Sequence, residues 1–336
     1  MSGAEPVAIE DHASAGIYLR IYLRPLARFL DQPDVTEVMV NRPGEVWIER
    51  AGRTAMERIE APEVDDLLLA RLAAQIARTT HQGISRESPL LAAVLPDGQR
   101  VQMVGPPATR AGWALSIRRH LTVERPLEAY ERPLPAHIEA RIDRMAAQDD
   151  LRAAPVAFLR EAVKARRTIL ISGGTSSGKT TFLNALLKTV PAGERIITVE
   201  DTPEIVVSQP NALGLVAVKG EMGEAKVTVE DLLHASLRLR PDRIIVGEIR
   251  GRETASFLRA INTGHPGSFT TVHANTPEGA LDQIALMVMQ SGLGLSRAET
   301  IGYSRSLIDV IVQLSRVGGE RRIVDIRVHG SGTLGT

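Results

Sequence analysis

The sequence predicts an α/β protein in which a mostly parallel sheet, covered by helices on both faces, follows a smaller α+β domain. Three observations lead there. From about residue 151 segments of helical and strand period alternate, before residue 120 the strands come as hairpins, and prolines 126, 133 and 135 interrupt both patterns. Proline stiffens a segment and blocks regular ladders, so this stretch reads as a linker. The 336 residues suffice for two domains of ~100–200 residues each. The expected boundaries are 1–120 for the N-terminal α+β domain, 121–150 for the linker and 151–336 for the α/β domain.

Each element has its own reason. Apolar residues recur at helical spacing from Ile17 to Leu30, with Pro25 expected to kink or split the run. Residues 36–40 and 45–49 are β-rich and flank Asn-Arg-Pro-Gly, a turn sequence, which predicts a hairpin. Residues 63–79 form an amphipathic helix that opens on acids and closes on Arg78, as the helix dipole favours. A second hairpin runs through Leu91–Leu95, Pro-Asp-Gly and Arg100–Val104, and Trp113–Ile117 reads as a further strand. Helices are then expected over 157–166, 179–189, 229–237 and 253–263, alternating with strands over 168–172, 195–199, 243–247 and 268–272. That alternation is the mark of a parallel sheet.

Composition narrows the chemistry. With no cysteine, disulfides, thiolate zinc sites, iron–sulfur clusters and cysteine nucleophiles are all excluded. Lys+Arg and Asp+Glu both number 40, so overall charge gives no sign of direct nucleic-acid binding, and aromatics for base stacking make up only 3%. Only five of those basic residues are lysines, at 164, 179, 188, 219 and 226. No apolar run approaches the ~18 residues of a membrane span. The first twelve residues carry acids and no base, unlike a secretory signal, so a cytoplasmic protein without a transmembrane segment is expected.

The predicted strand Thr168–Ser172 leads into Gly173-Gly174-Thr175-Ser176-Ser177-Gly178-Lys179-Thr180-Thr181 and then an apolar helix. This is G-x-x-x-x-G-K-[ST] in the strand–loop–helix context that gives the pattern its mechanism. Amides of the small residues turn toward phosphate oxygens, and the helix N-terminus adds its positive dipole end. Lys179 then serves the β/γ-phosphates, and the Thr180 hydroxyl serves Mg²⁺. Two neighbouring strands end in acids, Glu200-Asp201 and Glu248, on the edge where open α/β sheets bind ligands. One of these carboxylates is suited to polarising water and the other to holding hydrated Mg²⁺. A third strand ends at His273, after His265, which places an imidazole near the γ-phosphate.

The blocks GGTSSGKTT (173–181), ITVEDTPE (197–204), ASLRLRPDRIIVGEIRG (235–251) and GHPGSFTTVHANTP (264–277) resemble, in order, the Walker A, aspartate box, Walker B and histidine box of the hexameric secretion ATPases of type IV secretion systems. Their wider family includes type II secretion and type IV pilus motors. DVTEVMVNRPGEVWIE (34–49) and LPDGQRVQMVGPP (95–107) resemble that branch's N-terminal domain. The resemblance implies a RecA-like P-loop NTPase core that hydrolyses ATP with Mg²⁺. It implies a homo-hexamer, peripheral at the inner membrane, working with other secretion ATPases and inner-membrane channel proteins. It implies Lys179 and Thr180 on phosphates and metal, Glu200 and Glu248 as the acidic pair, with Glu200 favoured as base and Glu248 on the metal, and His273 as γ-phosphate sensor. Arg118 and Arg119, in LSIRRH, match an arginine position that reaches the nucleotide.

Two departures stand out. Ser176 occupies a loop position that many relatives fill with glycine, and the chain lacks the zinc-binding cysteines typical of type II members, which favours the type IV branch. Other classes compatible with the same residues are a nucleotide-gated scaffold with little turnover, a pilus or type II motor, and a nucleic-acid-translocating RecA-like ATPase.

Overall fold

Two sheets organise the described residues, the first with one core cluster and the second with two. A computed structural model describes residues 10–53, 55–119, 125–134, 153–218 and 227–329. The described residues fall into two compact units, one up to Arg119 and the other from Arg125 onward.

The first unit begins with α1 (Glu10–Leu30), a continuous helix through Pro25. The expected kink or split does not interrupt it. Leu19, Leu26, Phe29 and Leu30, on both sides of the proline, are buried in one core, and that packing offsets the lost backbone hydrogen bond. The sheet has the order β3-β2-β1-β6-β5-β4 and its neighbours are antiparallel. Its strands are β1 (Val35–Val40), β2 (Gly44–Arg50), β3 (Glu57–Ala61), β4 (Leu90–Val94), β5 (Arg100–Val104) and β6 (Ala114–Arg118). Val38 pairs with Ile48 on one side and Ile117 on the other, so alternation places buried residues side by side on one face. Helix α2 (Asp66–Thr79) starts where the Asp65 side chain accepts the Leu68 N–H at 2.7 Å. Strand β3 was not expected, because Glu-Arg-Ile-Glu-Ala has too few apolar residues to announce itself.

In the second unit the order is β13-β12-β7-β11-β10-β8-β9, parallel from β9 to β12, with β13 antiparallel. The expected strands appear as β7 (Ile169–Gly173), β8 (Ile196–Glu200), β10 (Arg243–Val246) and β11 (Phe269–Val272), all fully buried. The expected helices are α3 (Pro155–Lys164), α4 (Lys179–Leu187), α5 (Val229–Ser236) and α6 (Glu253–Asn262). Register aligns Val246 with Val199 and Thr270, and Val272 with Ser172, so four strands finish at one edge. The structure adds β9 (Ala212–Val216), α7 (Pro277–Gln290), α8 (Arg297–Leu307), β12 (Val310–Val317) and β13 (Glu320–Val328). Helix α8 is polar by sequence. It buries Thr300 and Ser304, whose hydroxyls donate to carbonyls one turn earlier, at 2.9 and 2.8 Å.

Part of the expected linker is packed chain. Leu127 and Tyr130, in a 3₁₀ turn, and Leu134 are buried in the second unit's core, and Tyr130 meets Phe182 edge to face at 4.9 Å. Most of the remainder of 121–150 lies outside the described residues.

Candidate active site

The phosphate loop joins β7 to α4, and its backbone explains its composition. Gly178 has φ +89° and Ser176 φ +61°, so two residues of the turn are left-handed, one of them without glycine's freedom. A Cβ on Gly173 would strike the Ser177 side chain and come within 3.0 Å of the Leu314 carbonyl. A Cβ on Gly178 would come within 2.6 Å of Arg321 Cδ. Ser177 is buried, and its hydroxyl has no hydrogen-bond partner among the described residues. Such an orphaned donor beside a loop of small residues fits an anion cradle.

Lys179 is 8% exposed. Its ammonium donates to the Gly173 and Gly174 carbonyls at 3.0 and 3.4 Å and lies 3.1 and 3.3 Å from His273 Nδ1 and Nε2. The Nε2 of His273 is 2.8 Å from Glu248 Oε1, and the other oxygen of Glu248 pairs with Arg250. Arg250 in turn approaches Asp201 at 3.8 Å. Three residues predicted from separate motifs, Lys179, Glu248 and His273, thus form one cluster at the strand ends.

The Thr180 hydroxyl donates to Glu204 Oε2 at 3.0 Å. Glu200 is buried, and its Oε1 accepts the N–H groups of both Glu204 and Ile205 at 2.8 Å. Asn184 of α4 fastens the same segment, donating to the Glu204 carbonyl and accepting from Val206 N, both at 3.1 Å. Gly247 also gains a reason, because a Cβ there would sit 3.3 Å from Glu200 Cγ. The glycine between β10 and Glu248 lets two acidic side chains share the sheet edge.

Arg118 and Arg119 lie in the first unit. Arg118 ends β6 and is exposed. Arg119 is bound within its own unit, donating to the Gln32 and Val35 carbonyls, the latter at 3.1 Å. His265 is structural, with Nδ1 3.1 Å from the Pro241 carbonyl. Sequence reasoning missed Glu204, Arg250 and Arg321. Glu204 sits within the quoted aspartate box, but beyond Pro203 no strand period points it at the loop. Arg321 belongs to no motif.

A glycine-rich loop between a buried parallel strand and a helix, with lysine, histidine and carboxylates converging on it, defines a P-loop ATPase. The Legionella pneumophila ATPase DotB shows the fold: 95% of this chain aligns with 81% of that one at a TM-score of 0.58 and 18% identity. Residues 22–317 match the type II/IV secretion system protein family. The type IV secretion system protein VirB11 of Bartonella quintana is 38% identical, over 90% of this chain and 91% of its own. VirB11 of Brucella abortus is 37% identical, over 88% and 84%. The chain belongs to the type II/IV secretion system protein family and is a secretion ATPase of its type IV branch. No described helix is long and apolar enough to cross a membrane.

Proposed function

We propose that this ATPase works as a Mg²⁺-dependent ring, a homo-hexamer, that powers type IV secretion or pilus assembly, held at the inner membrane by channel proteins and partner secretion ATPases. The observation that carries the reading is the Lys179–His273–Glu248 cluster beside the Thr180–Glu204 pair. Oxygen donors suit Mg²⁺. Thr180 and Glu248 are the proposed metal-side residues, with Glu204 added by its contact with Thr180. When bound, Mg²⁺ neutralises charge on the phosphates.

The residues Gly173 to Thr181 hold the phosphates of ATP, and Lys179 supplies the cation. His273 lies between that cation and Glu248, so it is suited to register the γ-phosphate at both. Glu200 and Glu248 are the acidic pair that orients water. Glu200 keeps one oxygen on backbone amides, which fixes the other. Arg118, exposed and without an ion pair among the described residues, is a better candidate than Arg119 to stabilise charge on the phosphoryl group. Steady-state ATP turnover and native mass test this reading. Wild-type protein should hydrolyse ATP and Lys179→Ala should lose at least a hundredfold of the rate. Equal rates, or a monomer in every nucleotide state, would overturn it.

A further inference from the structure

Arg321 lies at the start of β13, just past the Gly318-Gly319 turn, in a hairpin to which the sequence attaches no motif. Its side chain crosses the last glycine of the phosphate loop, and Nη1 donates to the Thr181 hydroxyl at 3.3 Å. Its neighbours Arg322 and Arg132 share a single carboxylate, Glu320, at 2.8 and 3.0 Å, so one positive charge is left over there. Among the described residues no carboxylate pairs with Arg321. A second cation, Arg125, stacks 4.6 Å above the Tyr130 ring, and both arginines act electrostatically on that phenol. This side of the loop is therefore basic.

The two ends of the loop differ. Lys179 Nζ, with His273 and Glu248 around it, marks the end that serves the β/γ-phosphates. Arg321 sits instead against Gly178 and Thr181, at the first turn of α4, where loop amides serve the α/β-phosphates. We propose that Arg321 binds the α-phosphate of the nucleotide from within the same chain, holding ATP and ADP alike. The guanidinium is always charged and its planar fork matches phosphate oxygens. Because it sits away from the transferring phosphoryl, its contribution is to retention rather than to the chemical step.

The inference rests on the ATPase reading, and the test separates the two. ATP turnover and ADP affinity are measured for wild type, Arg321→Ala and Arg321→Lys, with ADP binding followed by calorimetry. Arg321→Ala should raise the KM for ATP and the Kd for ADP together by about tenfold, with kcat at saturation within about twofold. Arg321→Lys keeps the charge but not the fork, and should recover part of the loss. Thermal unfolding without nucleotide should shift far less than nucleotide affinity, since among the described residues the side chain makes one long hydrogen bond, at 3.3 Å, and no ion pair. Unchanged ADP affinity in both variants overturns the assignment, as does a fall in kcat with ADP affinity intact. Absence of turnover in wild type strikes the ATPase reading instead, while the calorimetric comparison still decides Arg321.

Discussion

The Thr180 hydroxyl donates to Glu204 Oε2 at 3.0 Å, so the threonine expected to serve Mg²⁺ already faces a carboxylate that no strand-end argument singled out. Asn184 and Glu200 hold that carboxylate's backbone from either side. The acidic wall of the site is consequently built on α4 as much as on β8.

Glu204→Gln should therefore weaken Mg²⁺ activation by roughly 10–100-fold, the range for residues that orient metal ligands. Turnover measured against Mg²⁺ concentration reads this directly. A normal Mg²⁺ profile would return Glu204 to a structural role.

His273 bridges Lys179 and Glu248, so removing either side of the bridge should cost the same interaction once. His273→Ala and Glu248→Gln are each expected to reduce kcat strongly, and the double variant to fall well short of the product of the two losses. A double-mutant cycle on kcat measures the coupling, and strict additivity would contradict it.

The loop backbone predicts unequal responses at two positions. Gly178→Ala forces a Cβ into a left-handed residue at φ +89° and against Arg321, and should destabilise the protein by about 1–2 kcal/mol. Ser176→Gly removes strain at φ +61° but adds freedom to the unfolded chain, so stability should change by less than ~1 kcal/mol. Denaturant unfolding of both variants separates the effects.

Arg243 is fully buried, donates twice to Glu194 at 2.6 and 2.9 Å, and also bonds the Gly267 and Val163 carbonyls. Glu194→Ala would leave that guanidinium buried without its carboxylate, at an expected cost of about 3–5 kcal/mol. Equilibrium unfolding provides the measurement. A loss below ~1 kcal/mol would mean that water or a shift of Arg243 replaces the pair.

In the first unit, hydrogen bonds from Arg58, Arg42 and Trp47 hold the Glu45 carboxyl down at about 2, from an ordinary value of 4.5. A depressed folded-state pKa stabilises above the unfolded value and loses that contribution as pH falls toward the folded one. Glu45→Gln should thus destabilise most above about pH 4.5, and its difference from wild type should shrink between there and about pH 2. Unfolding curves across this window show the trend, and a pH-independent difference would contradict it.

The sequence by itself determined the phosphate loop, the alternating core and the convergence of Lys179, Glu248 and His273. Each rests on a local signal: glycine spacing, buried β-rich runs, and residues placed at the ends of parallel strands. It also carried the family resemblance, which the matched residues 22–317 bear out. Tertiary structure decided what depends on chain segments meeting across long separations. Pro25 stays within α1 because buried residues on both sides of it share one core. Leu127, Tyr130 and Leu134 turn part of a proline-marked linker into packed chain. Glu204 reaches Thr180 across a turn of no regular period, and Arg321 reaches Thr181 from a hairpin 140 residues away. Periodicity reports which face of an element is apolar. Which distant polar side chain meets a given loop is set by sheet order and register.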